Sequence, residues 1–190
     1  MSEEPTLPQK IVAIHERLDE VGIAHAFGGA LALAYYAEPR ATDDIDVNVF
    51  VAPAAFPTVR QALAGLGVDG DGVDITVLER DGQCRLRWGR TPLDLFFAYD
   101  ELHDAMRREA RLQPFGEDRL PVLCPEHLLV CKAIFDRPKD WLDIEQILVC
   151  VDDLDIAEIR TWLERIVGAD DPRGRRFDQT VHTLLDDRAS

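Results

Sequence analysis

Two aspartates stand two residues apart in Thr42-Asp43-Asp44-Ile45-Asp46-Val47-Asn48-Val49-Phe50-Val51. Ile45, Val47, Val49 and Val51 alternate there with Asp44, Asp46, Asn48 and Phe50, a period of two that predicts a strand. Positions i and i+2 of a strand share a face, so Asp44 and Asp46 project side by side, their Cα atoms about 6.5 Å apart. Two anions so placed repel each other and give a sheet nothing. A divalent cation removes the repulsion, and oxygen-only ligands favour Mg²⁺ or Mn²⁺. A third carboxylate, Asp94, lies in Pro92-Leu93-Asp94-Leu95-Phe96-Phe97. It shares a face with Phe96, while Leu93, Leu95 and Phe97 face the other way. A carboxylate in so apolar a strand needs a partner. A metal ion and an arginine both fit that need, and the upstream pair Asp44 and Asp46 favours the metal.

A phosphate site precedes the carboxylates. Ile23 to Phe27 reads as a short strand, and Gly28-Gly29 as a tight turn where a ligand can approach the backbone. The helix expected over Ala30 to Tyr36 offers unpaired N–H groups at its start. A phosphate cradle followed by a metal-binding pair points to a nucleoside triphosphate bound through metal. Further along, Pro125 opens a helix on which Lys132 shares a broad face with Leu128, Leu129 and Phe135. Snorkelling to solvent is the common fate of such a lysine. Pro138 opens the next helix, with Asp140 and Asp143 one turn apart on one face, where they suit the helix dipole. Arg40 and Thr42, just before the Asp44 strand, fit either phosphate contacts or plain surface.

The Gly-Gly turn, the short helix, Asp-x-Asp on the next strand and Asp94 on a later one together resemble the polymerase-β-type nucleotidyltransferase superfamily, from about Ile23 to Leu148. The superfamily's usual turn is Gly-Ser; position 29 here is Gly. The likeness is nearest to small bacterial nucleotidyltransferases that include abortive-infection-type toxins. The resemblance implies metal-dependent transfer of a nucleoside monophosphate from a nucleoside triphosphate to a hydroxyl. Asp44 and Asp46 would hold the metal carrying the triphosphate and, with Asp94, a second metal near the acceptor, Asp94 also serving as general base. Gly28, Gly29, Arg40, Thr42 and Lys132 would contact the nucleotide, and Asp140 and Asp143 would support Lys132 or the substrate. The acceptor would be the 3′ end of transfer RNA, as in the toxin branch with its antitoxin partner, which stands slightly ahead, or an aminoglycoside-like small molecule, or a protein hydroxyl. A non-catalytic nucleotide-binding relative is the other reading.

The rest of the chain must position these groups. Its 190 residues suffice for one good core, and 46% hydrophobic with 30% charged residues describes an ordinary globular protein. The net charge of −15 repels nucleic acid unless basic residues cluster locally, and favours a cationic substrate or basic partner. No apolar run approaches the roughly 20 residues of a membrane span, and the N-terminus lacks signal-peptide features, so the cytoplasm is expected. Cys84, Cys124, Cys131 and Cys150 lack C-x-x-C spacing and read as reduced, mostly buried thiols. The phosphate-loop pattern G-x-x-x-x-G-K-[ST] and the dinucleotide pattern G-x-G-x-x-G after a strand are both absent. The five histidines are scattered, which argues against a histidine-rich phosphohydrolase.

Helical spacing of Ile11, Ile14, Leu18 and Val21 predicts a helix from about Pro8 to Val21, with Thr6 as cap. His15 and His25 read as packing or surface histidines. Further helices are expected over Pro53 to Leu66, Asp100 to Arg111 and Asp155 to Val167. Val73 to Leu78 reads as a strand joined by an Asp81-Gly82 hairpin to a partner from Cys84 to Trp88. Leu112 to Leu123 reads as a short hairpin or connector. The tail with Arg173, Arg175 and Arg176 reads as a short polar helix or solvated end. The expected class is α+β: a small mixed β-sheet nucleotidyltransferase core over residues 1–123, flanked by helices, with a helical C-terminal part over 124–190 packed on it.

Overall fold

The first helix shows how sequence period becomes position. In the computed structural model, which describes residues 4–186, α1 spans Leu7–Glu20. Gln9 Oε1 accepts from the Thr6 N–H at 2.9 Å and closes the helix start. Ile11, Ile14 and Leu18 are buried as expected, but Val21 is 40% exposed. Its place on the inner face goes to Lys10, only 2% exposed, which the apolar pattern passes over. The Lys10 ammonium donates to Glu4 Oε1 at 2.6 Å, the Trp88 carbonyl at 2.8 Å and Thr91 Oγ1 at 3.0 Å, so each of its protons has an acceptor.

The chain forms two compact units. One holds the chain up to Leu31 together with Ala41–Leu123; the other holds Ala32–Arg40 and the chain from Cys124 onward. Ala32–Arg40, expected in the core with the rest of 1–123, thus group with the second unit.

The first unit is built on a mixed six-stranded sheet in the order β3-β4-β2-β1-β6-β5. Its strands are β1 His25–Phe27, β2 Ile45–Val49, β3 Gln83–Trp88, β4 Thr91–Phe97, β5 Arg111–Phe115 and β6 Asp118–Val122. β2 runs parallel to β4 and antiparallel to β1, β1 runs parallel to β6, and the remaining neighbours are hairpins. Val47, Val49, Leu93, Leu95 and Phe97 are completely buried on one face of the central strands. Each contributes about 1.5–3 kcal/mol of burial. α2 Gly29–Leu33 is shorter than the helix expected over Ala30 to Tyr36 and gives way to turns closed by Tyr36 N–H to Leu33 O. α3 Phe56–Ala64 and α5 Glu101–Glu109 fall where expected.

The reading of Val73 to Leu78 as a strand is wrong: Ile75–Asp81 is helix α4. The β-branched run Ile75-Thr76-Val77 carries the strand signal, and the ends of the segment override it. Asp74 Oδ1 accepts from the Thr76 and Val77 N–H groups, and Gly82 at φ +66° ends the helix in the left-handed region. The hairpin partner of β3 is accordingly β4, through a two-residue turn at Gly89-Arg90.

The second unit is helical: α6 Pro125–Phe135, α7 Pro138–Cys150, α8 Ile156–Val167 and α9 Pro172–Val181. Pro125, Pro138 and Pro172 each stand in a first turn, where the missing N–H costs nothing. Asp136 ends α6 at φ 53° and accepts from the Trp141 indole N–H at 2.6 Å, which fixes the bend into α7. The four cysteines are less buried than expected: Cys124 is buried, Cys84 and Cys131 are half-buried and Cys150 is exposed.

Candidate active site

The sequence-predicted residues fall into two groups, one in each unit. In the first, the register of β2 and β4 sets Asp46 directly beside Asp94. The strands are parallel neighbours, so the two backbones lie about 4.8 Å apart and both side chains project to the same face. Asp44 precedes β2 and is prepared by Thr42, whose hydroxyl accepts from the Asp44 N–H at 3.2 Å. That bond gives Thr42 a local turn-making role.

The diglycine turn is fitted to Asp46. The Gly28 N–H donates to the Asp46 carbonyl at 3.0 Å, so this amide is committed to the sheet and is not available to a phosphate. Gly29 has φ +53°, and a Cβ built on it would lie 1.8 Å from Asp46 Oδ2. Residue 29 therefore needs glycine twice over, for its backbone and for the carboxylate against it. A serine here, as in the superfamily's usual turn, would collide with Asp46 as it is placed.

The partner of Asp94 is an arginine. Arg85 sits directly across β3/β4 from it, with Nε 2.7 Å from Oδ1 and a terminal nitrogen 2.6 Å from Oδ2. The same nitrogen lies 3.9 Å from Asp44 Oδ2. Asp94 pushes the Arg85 pKa upward, first through these hydrogen bonds and then through its charge. Among the described residues, Asp44, Asp46 and Asp94 do not form a trio with ligand oxygens all within 4.8 Å of one another. The donors are nevertheless all hard oxygens on a face that already attracts a cation, a set suited to Mg²⁺ or Mn²⁺. The neighbouring Cys84 thiol is pushed up to about 12 by burial and then by the Asp94 charge.

In the second unit, Lys132 on α6 is 4% exposed and does not snorkel. Its ammonium donates to Asp143 Oδ2 at 2.6 Å, and Arg40 donates to the same carboxylate at 3.1–3.3 Å. Burial pushes the Asp143 pKa up, but the hydrogen bonds from Arg40 and Lys132 outweigh it and hold the carboxyl below its ordinary value. Asp140, 1% exposed, accepts from the Arg137 N–H and guanidinium at 2.6–3.2 Å and caps α7. So Asp143 holds Lys132 and Arg40, while Asp140 is spent on the helix start.

An arginine partner for Asp94 fits the sequence, and the residue that supplies it is Arg85. The signal was present: with a two-residue turn at Gly89-Arg90, Trp88 pairs Thr91, and counting outward sets Arg85 against Asp94.

No protein-family model and no curated protein matches the chain. Solved structures do. The antibiotic-resistance factor ANT(2'')-Ia, in its solution structure, superposes with a TM-score of 0.54 at 15% identity, over 98% of this chain and 95% of its own. An antigenic nucleotidyltransferase-like protein from Paracoccidioides brasiliensis gives 0.52 at 16% identity, over 95% and 96%. The lincosamide antibiotic adenylyltransferase LnuA, lincomycin-bound, gives 0.52 at 11% identity, over 78% of this chain and 100% of its own. At such identities the likeness is one of architecture: this chain has a nucleotidyltransferase-like fold.

Proposed function

We propose that the protein transfers a nucleoside monophosphate from a nucleoside triphosphate to a hydroxyl of a small cationic acceptor. The observation that carries this reading is the in-register pair Asp46 and Asp94 on adjacent parallel strands, with Asp44 in reach of the same guanidinium. Asp44, Asp46 and Asp94 would hold Mg²⁺ or Mn²⁺, which when bound neutralises phosphate charge and makes the acceptor hydroxyl more acidic. Asp94 accepts the proton that the acceptor hydroxyl loses. Gly29 leaves the Asp46 carboxylate its room, and within the second unit Asp143 holds the Lys132 ammonium in place.

The acceptor class is supported by charge. A chain of net charge −15 repels a polyanion and draws a cation. The antibiotic-directed activities named for ANT(2'')-Ia and LnuA point the same way. The test incubates the protein and Mg²⁺ with each α-phosphate-labelled triphosphate and, separately, aminoglycosides, lincosamides, transfer RNA and lysate protein. Label is expected in the small-molecule pool, and its transfer is lost in Asp46→Asn. Label in the 3′ end of transfer RNA would replace this acceptor with the one typical of toxins. Label in no pool, with triphosphate binding intact, would leave a nucleotide-binding protein without transferase activity.

A further inference from the structure

We propose that Arg85 makes the carboxylate face admit a divalent cation only in company with the triphosphate, a proposal that rests on the metal-dependent reading above. Arg85 lies across the β3/β4 hairpin from Asp94, forks onto both its carboxylate oxygens at 2.7 and 2.6 Å, and comes within 3.9 Å of Asp44. Its positive charge thus stands on the oxygens that a cation would take. Guanidinium does not lose its proton in proteins, so Arg85 clears the site only by moving.

It is free to move. The Arg85 side chain is 54% exposed and that of Asp94 19%, so water can replace each partner when the pair opens. What decides the outcome is where the guanidinium goes. A cation arriving alone leaves Arg85 next to a divalent charge without a counterion. A cation arriving with a triphosphate brings oxyanions that the planar fork matches as well as it matches a carboxylate. Arg85 exchanges Asp94 for phosphate, and Asp94 is released to the cation. Metal and triphosphate then strengthen each other's binding, and by thermodynamic linkage the factor is the same in both directions. Arg87, the next residue on the same face of β3, stands two positions along the register, opposite Pro92 rather than Asp94. Arg85 is in this sense a positioning residue that acts through Asp94.

The experiment measures Mn²⁺ binding to the full chain by the loss of the free-ion paramagnetic resonance signal, with and without a non-hydrolysable triphosphate. The variants are Arg85→Gln, Arg85→Lys and Asp46→Asn, each checked for native circular dichroism. In the natural chain Mn²⁺ alone binds weakly and the triphosphate tightens it. Arg85→Gln is expected to bind Mn²⁺ alone about fivefold more tightly, the upper range for an exposed ion pair, and to lose the tightening by the same factor. Arg85→Lys, keeping the charge without the fork, falls between. If Asp46→Asn abolishes Mn²⁺ binding while Arg85→Gln leaves affinity and coupling unchanged, the role of Arg85 is overturned and the metal reading stands. If Asp46→Asn binds Mn²⁺ like the natural chain, the metal reading itself fails and this inference with it.

Discussion

Two ion pairs in this protein use the same chemistry in opposite surroundings. Arg85–Asp94 bridges two strands of the sheet in the first unit, with its guanidinium half in water. Lys132–Asp143 joins α6 to α7 in the second, with both side chains 5% exposed or less. An exposed pair gains little and opens readily, because water takes over each partner. A buried pair is costly to assemble and costlier to break, because whichever partner remains is a charge without solvent. Asp143 also holds Arg40, so one carboxylate serves two cations. The difference assigns the pairs different duties: the first is suited to exchange partners, the second to keep one arrangement.

The largest expected effect comes from breaking the buried pair. Asp143→Ala leaves Lys132 charged in the interior and should cost about 3 kcal/mol or more of unfolding free energy, measured by urea titration. A loss below about 1 kcal/mol would put this pair in the same class as Arg85–Asp94. Next is Gly29→Ala, which imposes a left-handed penalty of about 1–2 kcal/mol and drives a methyl group into the Asp46 carboxylate. It should lower the melting temperature and abolish Mn²⁺ binding together; a stable variant with normal Mn²⁺ affinity would mean that Asp46 has room to shift.

A smaller effect follows from acid. Asp143 is held below its ordinary pKa, so the unfolded chain binds its proton first, near the reference value of about 3.9. Its contribution is complete above that value and is lost as pH falls through the lower folded pKa. Asp143→Asn should flatten this part of the acid limb of a stability-versus-pH curve, and an unchanged limb would remove Asp143 from the acid response. The smallest effect belongs to Arg85→Gln at neutral pH, which should change stability by less than about 1 kcal/mol. A loss of several kcal/mol there would make Arg85–Asp94 a structural clamp and undo the contrast.

The sequence made the central strands and most helices legible because their burial follows a clean period and their ends carry Pro, Gly or Asp. β2 and β4 read correctly from alternation alone, and α6 and α7 from Pro125 and Pro138. Where the reading failed, a local signal lost to its surroundings. Ile75-Thr76-Val77 favours a strand, yet the Asp74 cap and Gly82 close a helix around it. Lys10 was invisible because nothing on α1 announces three acceptors that lie at Glu4, Trp88 and Thr91. The carboxylates of the candidate site stand out in the sequence by type and spacing. The duties of Gly28 and Asp140 were not, since a backbone amide and a helix cap are filled by contacts that residue type does not reveal.

The sheet has two free margins, β3 and β5, and each is a poor template for another strand. On β3, Arg85 and Arg87 point outward at alternate positions, and Asp69 already takes the N–H and C=O of Arg87. On β5, Pro114 removes one donor from the margin. A neighbouring molecule seeking to extend the sheet meets guanidinium on one side and a missing N–H on the other, which guards against edge-to-edge aggregation. The arginine that faces Asp94 therefore also helps to keep copies of the chain apart.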